Sequence, residues 1–156
     1  MTHYVVDTNV FLYARGRQHP YRQPCRRVLQ GVLEGQVQLH ASAELVQEFV
    51  HVLLRRGVTR QEAVDEATEV RRQCRLHAFD GQVLTLALGL VRHYPALGAR
   101  DAVHAATAVA IGIPQMLSAD QVFDAVAEVD RVDPEHAAGE LPPEGGSDRG
   151  GSKVSG

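Results

Sequence analysis

The chain has 156 residues, 44% of them apolar, which fits one domain with a single core and excludes a wholly disordered polypeptide. No apolar run reaches the ~18 residues of a membrane span, and the N-terminus lacks the basic-then-apolar layout of a secretion signal. The net charge of −3 hides an asymmetry: residues 1–100 carry 13 Arg against 9 Asp plus Glu (+4), residues 101–156 carry 3 basic against 10 acidic side chains (−7).

Residues 3–6 (His-Tyr-Val-Val) predict a short buried strand, and Asp7-Thr8-Asn9 is a polar turn able to cap a helix from Val10 to Ala14. Gly16 to Pro20 reads as a loop. Tyr21 to Glu34 reads as a helix, with Pro24 tolerable in its first turn. Val37-Gln38-Leu39 predicts a second strand. Ser42 then opens a helix whose Leu45, Val46, Phe49, Val50, Val52, Leu53 and Leu54 form one broad stripe, ended by Gly57. Thr59 with Glu62 is a capping-box signature for a helix to about Cys74.

Leu76 to Phe79 predicts a third strand, Asp80 a cap, and Gln82 to His93 a helix broken by Pro95 and Gly98. Arg100 to Ile111 is a helix made largely of Ala, Val and Ile. Pro114 to Ser118 predicts a fourth strand, Asp120 a short helical turn, and Glu128 to Val132 an edge strand. Strands alternating with helices imply parallel pairing in an α/β layered domain, whose ligands bind outside the carboxyl ends of the strands. Asp7 and Asp120 fall at such ends. The domain is expected to span 1–133. Residues 134–156, rich in Pro, Gly, Ser and Glu, are expected to form a disordered acidic tail. Cys25 and Cys74 have neither pairing nor metal spacing, which predicts reduced thiols in a cytoplasmic protein.

Four carboxylates stand near predicted element ends. Asp7 is either a helix cap or a ligand, with Thr8 or Asn9 beside it. Glu48 lies on the flank of an apolar stripe, so it is either an exposed side chain or one aimed at a pocket rim. Asp101 favours the first-turn dipole of its helix, yet that helix is apolar enough to be deeply buried. Asp120 caps a turn or faces a site, with Ser118 offering a hydroxyl and Asp124 a second carboxylate one turn on. If these groups meet, like charges ~4 Å apart repel by about 4 kcal/mol per pair at an effective dielectric near 20. A hard divalent cation with oxygen ligands is the natural compensation. His104, one turn after Asp101, is placed to touch the pocket, though packing or solvation is the commoner role for such a histidine.

The segments Val6-Asp7-Thr8-Asn9-Val10, Glu-Leu-Val-Gln-Glu-Phe at 44–49, Arg-Asp-Ala-Val-His-Ala-Ala at 100–106 and Ser-Ala-Asp at 118–120 followed by Phe123 together resemble the PIN domain. They are most similar to the VapC-type toxins of toxin–antitoxin pairs. The resemblance covers residues 4 to about 132. It implies a three-layer α/β/α domain with a central, mostly parallel sheet of four to five strands. It also implies a Mg²⁺- or Mn²⁺-dependent endoribonuclease, cutting RNA with a metal-activated water. The family's four acidic positions map onto Asp7, Glu48, Asp101 and Asp120, with Asp124 as an alternative to Asp120. Partners implied are an RNA substrate, a cognate antitoxin and a second copy of the chain in a homodimer, without a membrane. The apolar faces of the helices at 21–34 and 42–75 are candidate partner surfaces.

Other classes fit less well. Receiver domains and dehalogenase-like Mg²⁺-dependent phosphatases lean on a lysine, and the only lysine is Lys153 in the tail. No His-Glu-x-x-His, Cys-x-x-Cys or Gly-rich nucleotide loop occurs. A non-catalytic RNA- or protein-binding module on the same fold stays open.

Overall fold

The computed structural model describes residues 1–144. The first strand, β1 (Thr2–Val6), shows why the run Tyr4-Val5-Val6 is continuously apolar: Tyr4 and Val6 enter one core and Val5 the other. A strand covered on both faces needs continuous apolar sequence rather than alternation. The chain continues through α1 (Thr8–Arg15), α2 (Arg22–Leu33), β2 (Val37–Ser42), α3 (Ala43–Arg55), α4 (Arg60–Gln73), β3 (Cys74–His77), α5 (Gly81–His93), α6 (Ala99–Ile111) and β4 (Gln115–Leu117). A 3-10 turn (Gln121–Ala125), β5 (Asp130–Val132) and α7 (Pro134–Gly139) follow.

The five strands form one sheet in the order β3-β2-β1-β4-β5, every pair parallel. From β1 the chain moves outward to β2 and β3, then returns past β1 to β4 on its other side. The strand order therefore reverses between β1 and β4. The loops after these two strands diverge there and leave a crevice at their carboxyl ends. Asp7 and Ser118 lie at those ends.

Helices cover both faces. One core joins α1, α2, α3 and α4 to Val6, Leu39 and Leu117, with Phe11 and Phe49 meeting edge to face. The other joins α5 and α6 to Val5, Met116 and Phe123. Alanines at 102, 105, 106 and 108 are buried, and their small side chains let α6 lie close to the sheet. Helix starts follow local chemistry. Ser42, Thr59 and Asp80 each accept a hydrogen bond from a backbone N–H of the following turn, at 3.2, 3.2 and 3.0 Å.

Three expectations need correction. The third strand is Cys74–His77, not 76–79, because pairing with β2 in the register Leu39↔Cys74 to Ser42↔His77 captures the chain as α4 ends. The fourth strand is only Gln115–Leu117; Pro114 has no N–H, and its carbonyl instead accepts from Asp130 at 2.8 Å. The domain does not stop at 133. Asp133 caps α7, Ala137 is buried against α2, and Leu141 packs beside Gly31. A Cβ on Gly31 would lie 2.9 Å from Leu141 Cδ1. The expected disorder of the remaining tail, and Lys153 with it, concerns residues 145–156, outside those described. Cys25 and Cys74 are free thiols, both pushed up to about 12 by burial, with the charge of Asp133 adding to the shift at Cys25. Among the described residues no helix is long and apolar enough to cross a membrane.

Candidate active site

Asp7 occupies the N-cap position of α1, with extended backbone, yet its side chain makes no capping bond. The carboxylate turns instead toward β4. Its Oδ2 accepts from Ser118 Oγ at 2.7 Å and from Asn9 Nδ2 at 3.2 Å. Asn9 Nδ2 also donates to Ser118 Oγ at 3.2 Å, and Ser118 Oγ accepts from the Asp120 N–H at 3.0 Å. Asp7 is 5% exposed and Ser118 fully buried. Burial pushes the Asp7 carboxyl above its ordinary range; His104 and the Ser118 hydroxyl oppose that shift, and the charge of Glu48 adds to it. A charged group is thus held by three short-range contacts where desolvation disfavours it.

Glu48 reaches the same region from α3. Thr8 Oγ1 donates to its Oε2 at 2.9 Å, and His104 Nε2 lies 3.1 Å from the same oxygen. Burial raises the Glu48 carboxyl, but His104, Thr8 and the charge of Arg100 together hold it below its usual value. His104 is 1% exposed; its Nε2 is also 3.8 Å from Asp7 Oδ1. Burial disfavours its charged form. The hydrogen bond to Glu48 and the charges of Asp7, Glu48 and Asp101 outweigh that and raise it. His104, read as packing or solvated more than as touching the pocket, sits instead beside two carboxylates that favour its charged form. Its spacing of three from Asp101 on one helix was the available signal.

Asp101 sits in the first turn of α6, whose N-cap, Gly98, offers no side chain. Its carboxyl is pushed up to about 6, first by burial, then by the charges of Asp7 and Asp120. Asp120 Oδ1 caps the 3-10 turn by accepting from the Val122 N–H at 3.0 Å. Asp124 faces elsewhere and pairs with Arg131 at 2.8 Å. The structure thus brings Asp7, Glu48, Asp101 and Asp120 within electrostatic reach of one another, with Thr8, Asn9 and Ser118 bonded among them. It leaves Asp124 neutralised outside. Among the described residues no three His, Cys, Asp or Glu side chains stand in a ready-made metal-binding arrangement.

The donor chemistry can be tested against a cation. The groups are hard carboxylate oxygens without sulfur, and His104 is already engaged by Glu48. The Asp101 carboxyl is raised first by burial and then by the charges of Asp7 and Asp120, and a bound cation would oppose both. Such a set suits Mg²⁺ or Mn²⁺ in kind.

Comparison with known proteins agrees with this geometry. A family model described as PIN domain matches residues 4–129. The chain is 35% identical over 135 residues to Ribonuclease VapC7 of Mycobacterium tuberculosis, covering 85% of this chain and 92% of that protein. It is 38% identical over 119 residues to Ribonuclease VapC23 of the same organism, covering 76% and 93%. Among solved structures, VapBC2 from Rickettsia felis bound to a DNA fragment from its promoter superposes with a TM-score of 0.65 at 14% identity, covering 85% of this chain and 98% of that one. FitAcB from Neisseria gonorrhoeae gives 0.63 at 23% identity, covering 87% and 99%. Fold, ordered motifs and sequence relatives converge, and the chain belongs to the PIN domain family.

Proposed function

We propose that this protein is a metal-dependent endoribonuclease, the toxin of a toxin–antitoxin pair, acting in the cytoplasm. The proposal rests on one feature: the carboxylates of Asp7 at the N-cap of α1, Glu48 on α3, Asp101 on α6 and Asp120 after β4 stand within electrostatic reach where the strand order reverses. Asp7 and Asp101 would hold a Mg²⁺ or Mn²⁺ ion, with Glu48 assisting and Asp120 completing the site. When bound, such an ion supplies Lewis acidity toward water and neutralises charge at the scissile phosphate. The protein's own groups hold the geometry. Ser118 and Asn9 fix the orientation of Asp7, while Thr8 and His104 fix that of Glu48. No protein nucleophile is required.

Asp7→Asn and Asp101→Asn should each abolish RNA cleavage while circular dichroism stays unchanged, since both substitutions keep side-chain volume. Chelation by EDTA should stop cleavage by the wild-type chain, and added Mn²⁺ should restore it. Cleavage at the wild-type rate by both variants would dismiss the assignment. Metal-independent RNA binding without product would favour the binding module instead.

The antitoxin proposal has two supports. The similar solved structures include assemblies titled VapBC2 and "Toxin-antitoxin complex", the latter from Klebsiella pneumoniae. In addition, a cleft of about 330 Å³ between α1, α2 and α4 is lined by Phe11, Leu29, Leu33, Phe49 and Val70. Leu33 is 71% exposed at its edge, an apolar side chain that a partner segment would cover. A basic side chain on that segment would be drawn to the acidic site. The second copy of a homodimer would seat on α5, where Leu84, Leu88 and Val91 share one face by spacing and stay exposed.

A further inference from the structure

A second cleft, of about 730 Å³, opens beside the acidic site, between α1, the loop after it and the end of α3. Asn9 is its inner wall, and the same Asn9 donates to Asp7 and Ser118. The cleft thus begins one side chain from the carboxylates. Tyr13 and His19 line it too, their rings stacked with centroids 4.6 Å apart and 27° between planes. Tyr21 packs against both rings, its centroid 5.9 Å from His19 and 5.4 Å from Tyr13, so the three form a triangular cluster.

The stack is held in place rather than loosely collapsed. The Tyr21 N–H donates to His19 Nδ1 at 3.1 Å, which orients the imidazole. The Tyr21 hydroxyl donates to Asp133 at 2.6 Å, which anchors the third ring. His19 remains exposed, so the aromatic cluster reaches solvent. Arg17 and Arg56 line the same cleft from either side, exposed and outside every ion pair among the described residues. Arg15 and Arg26 are otherwise committed, to Glu66 and to the Ala14 carbonyl.

We propose that this cleft is a subsite for unpaired RNA, in which a nucleobase flanking the cleaved bond stacks on the Tyr13–His19 pair while Arg17 and Arg56 hold its backbone phosphates. Aromatic side chains with flanking guanidinium groups bind single strands through base stacking and phosphate contact. Paired bases in an A-form helix cannot splay onto such a ring pair, so the subsite selects loops and single strands. The proposal rests on the nuclease reading for its substrate, and its test separates the two.

Affinity for a fluorescein-labelled unstructured RNA, and for the same strand annealed to its complement, is measured by anisotropy. EDTA and the Asp7→Asn background keep the RNA intact. The single strand should bind more tightly than the duplex. His19→Ala and Tyr13→Leu should each weaken single-strand binding roughly 5- to 160-fold, the range of one lost base stack. Arg17→Ala should flatten the salt dependence by about 0.7 in log–log slope, one phosphate contact on a single strand. Tyr13→Leu keeps apolar bulk, and a melting curve matching the parent confirms its fold. Unchanged affinity in both aromatic variants, or preference for duplex, overturns the subsite. RNA binding that depends on His19, with no Mg²⁺-dependent cleavage by the wild-type chain, upholds the subsite and sinks the nuclease. Cleavage with kcat/KM unchanged by either substitution does the reverse.

Discussion

Asp101 shows at the scale of one side chain what gathering carboxylates costs. Its carboxyl is pushed from 3.8 to about 6 by burial and by Asp7 and Asp120, so the folded state disfavours its charge at neutral pH. Undamped, that shift corresponds to about 3 kcal/mol; at a side chain this open to solvent, screening reduces it to roughly 1 kcal/mol. In EDTA, Asp101→Asn should therefore raise the melting temperature by about 2–4 °C while activity is lost. Saturating Mg²⁺ should stabilise the wild-type chain, by about 2.7 kcal/mol at a hundred times the dissociation constant, and the variant markedly less. Differential scanning fluorimetry with and without the ion checks both. A variant that melts lower in EDTA would mean Asp101 carries a structural bond rather than unrelieved charge.

At the scale of elements, three neighbouring strands are tied by histidines. His3 Nδ1 meets His40 Nε2 at 3.0 Å, and His40 Nδ1 meets His77 Nε2 at 2.9 Å, running from β1 across β2 to β3. Burial lowers the His40 imidazole below its ordinary 6.5, and His77, His3 and Arg75 lower it further; His77 is lowered by burial and Arg75. A histidine lowered on folding contributes stability that is full above 6.5 and is lost as pH falls through that value toward the folded one. The urea midpoint should drop between pH 7.5 and 5.5, and His40→Gln should flatten the drop. α7 supplies a second prediction. Ending the chain after Asp133 uncovers α2 and removes Ala137 and Leu141 from the core, which should lower stability by roughly 2 kcal/mol in urea denaturation.

For the whole molecule, the proposed assemblies rest on separate faces. The acidic crevice lies at the carboxyl ends of β1 and β4, the apolar cleft between α1, α2 and α4, and the exposed Leu84–Leu88–Val91 row on α5. Leu88, 59% exposed, is the most open of that row. Leu88→Glu should convert a dimer to a monomer in sedimentation velocity while cleavage per active site persists, because α5 contributes no residue to the crevice. A wild-type chain that sediments as a monomer at all concentrations would remove the dimer proposal and leave the nuclease untouched.

Element order and type were legible in the chain because apolar periodicity, caps at Ser42, Thr59 and Asp80, and breakers at Gly57, Pro95 and Gly98 act over a few residues. The four acidic positions were legible as a set only through their order and neighbours; singly, each had an ordinary local role, and Asp120 does cap its turn. Contacts between residues far apart in the chain decided the rest. Ser118, 111 residues from Asp7, turns that carboxylate away from capping. Arg131 removes Asp124 from the cluster, and His104 joins Glu48 across 56 residues. The tail's first turn folds because Gly31 leaves room for Leu141, a vacancy that no local pattern in 134–144 encodes. Short-range preferences set where helices and strands begin, whereas the charge balance of a buried site is a sum over groups that only the fold brings together.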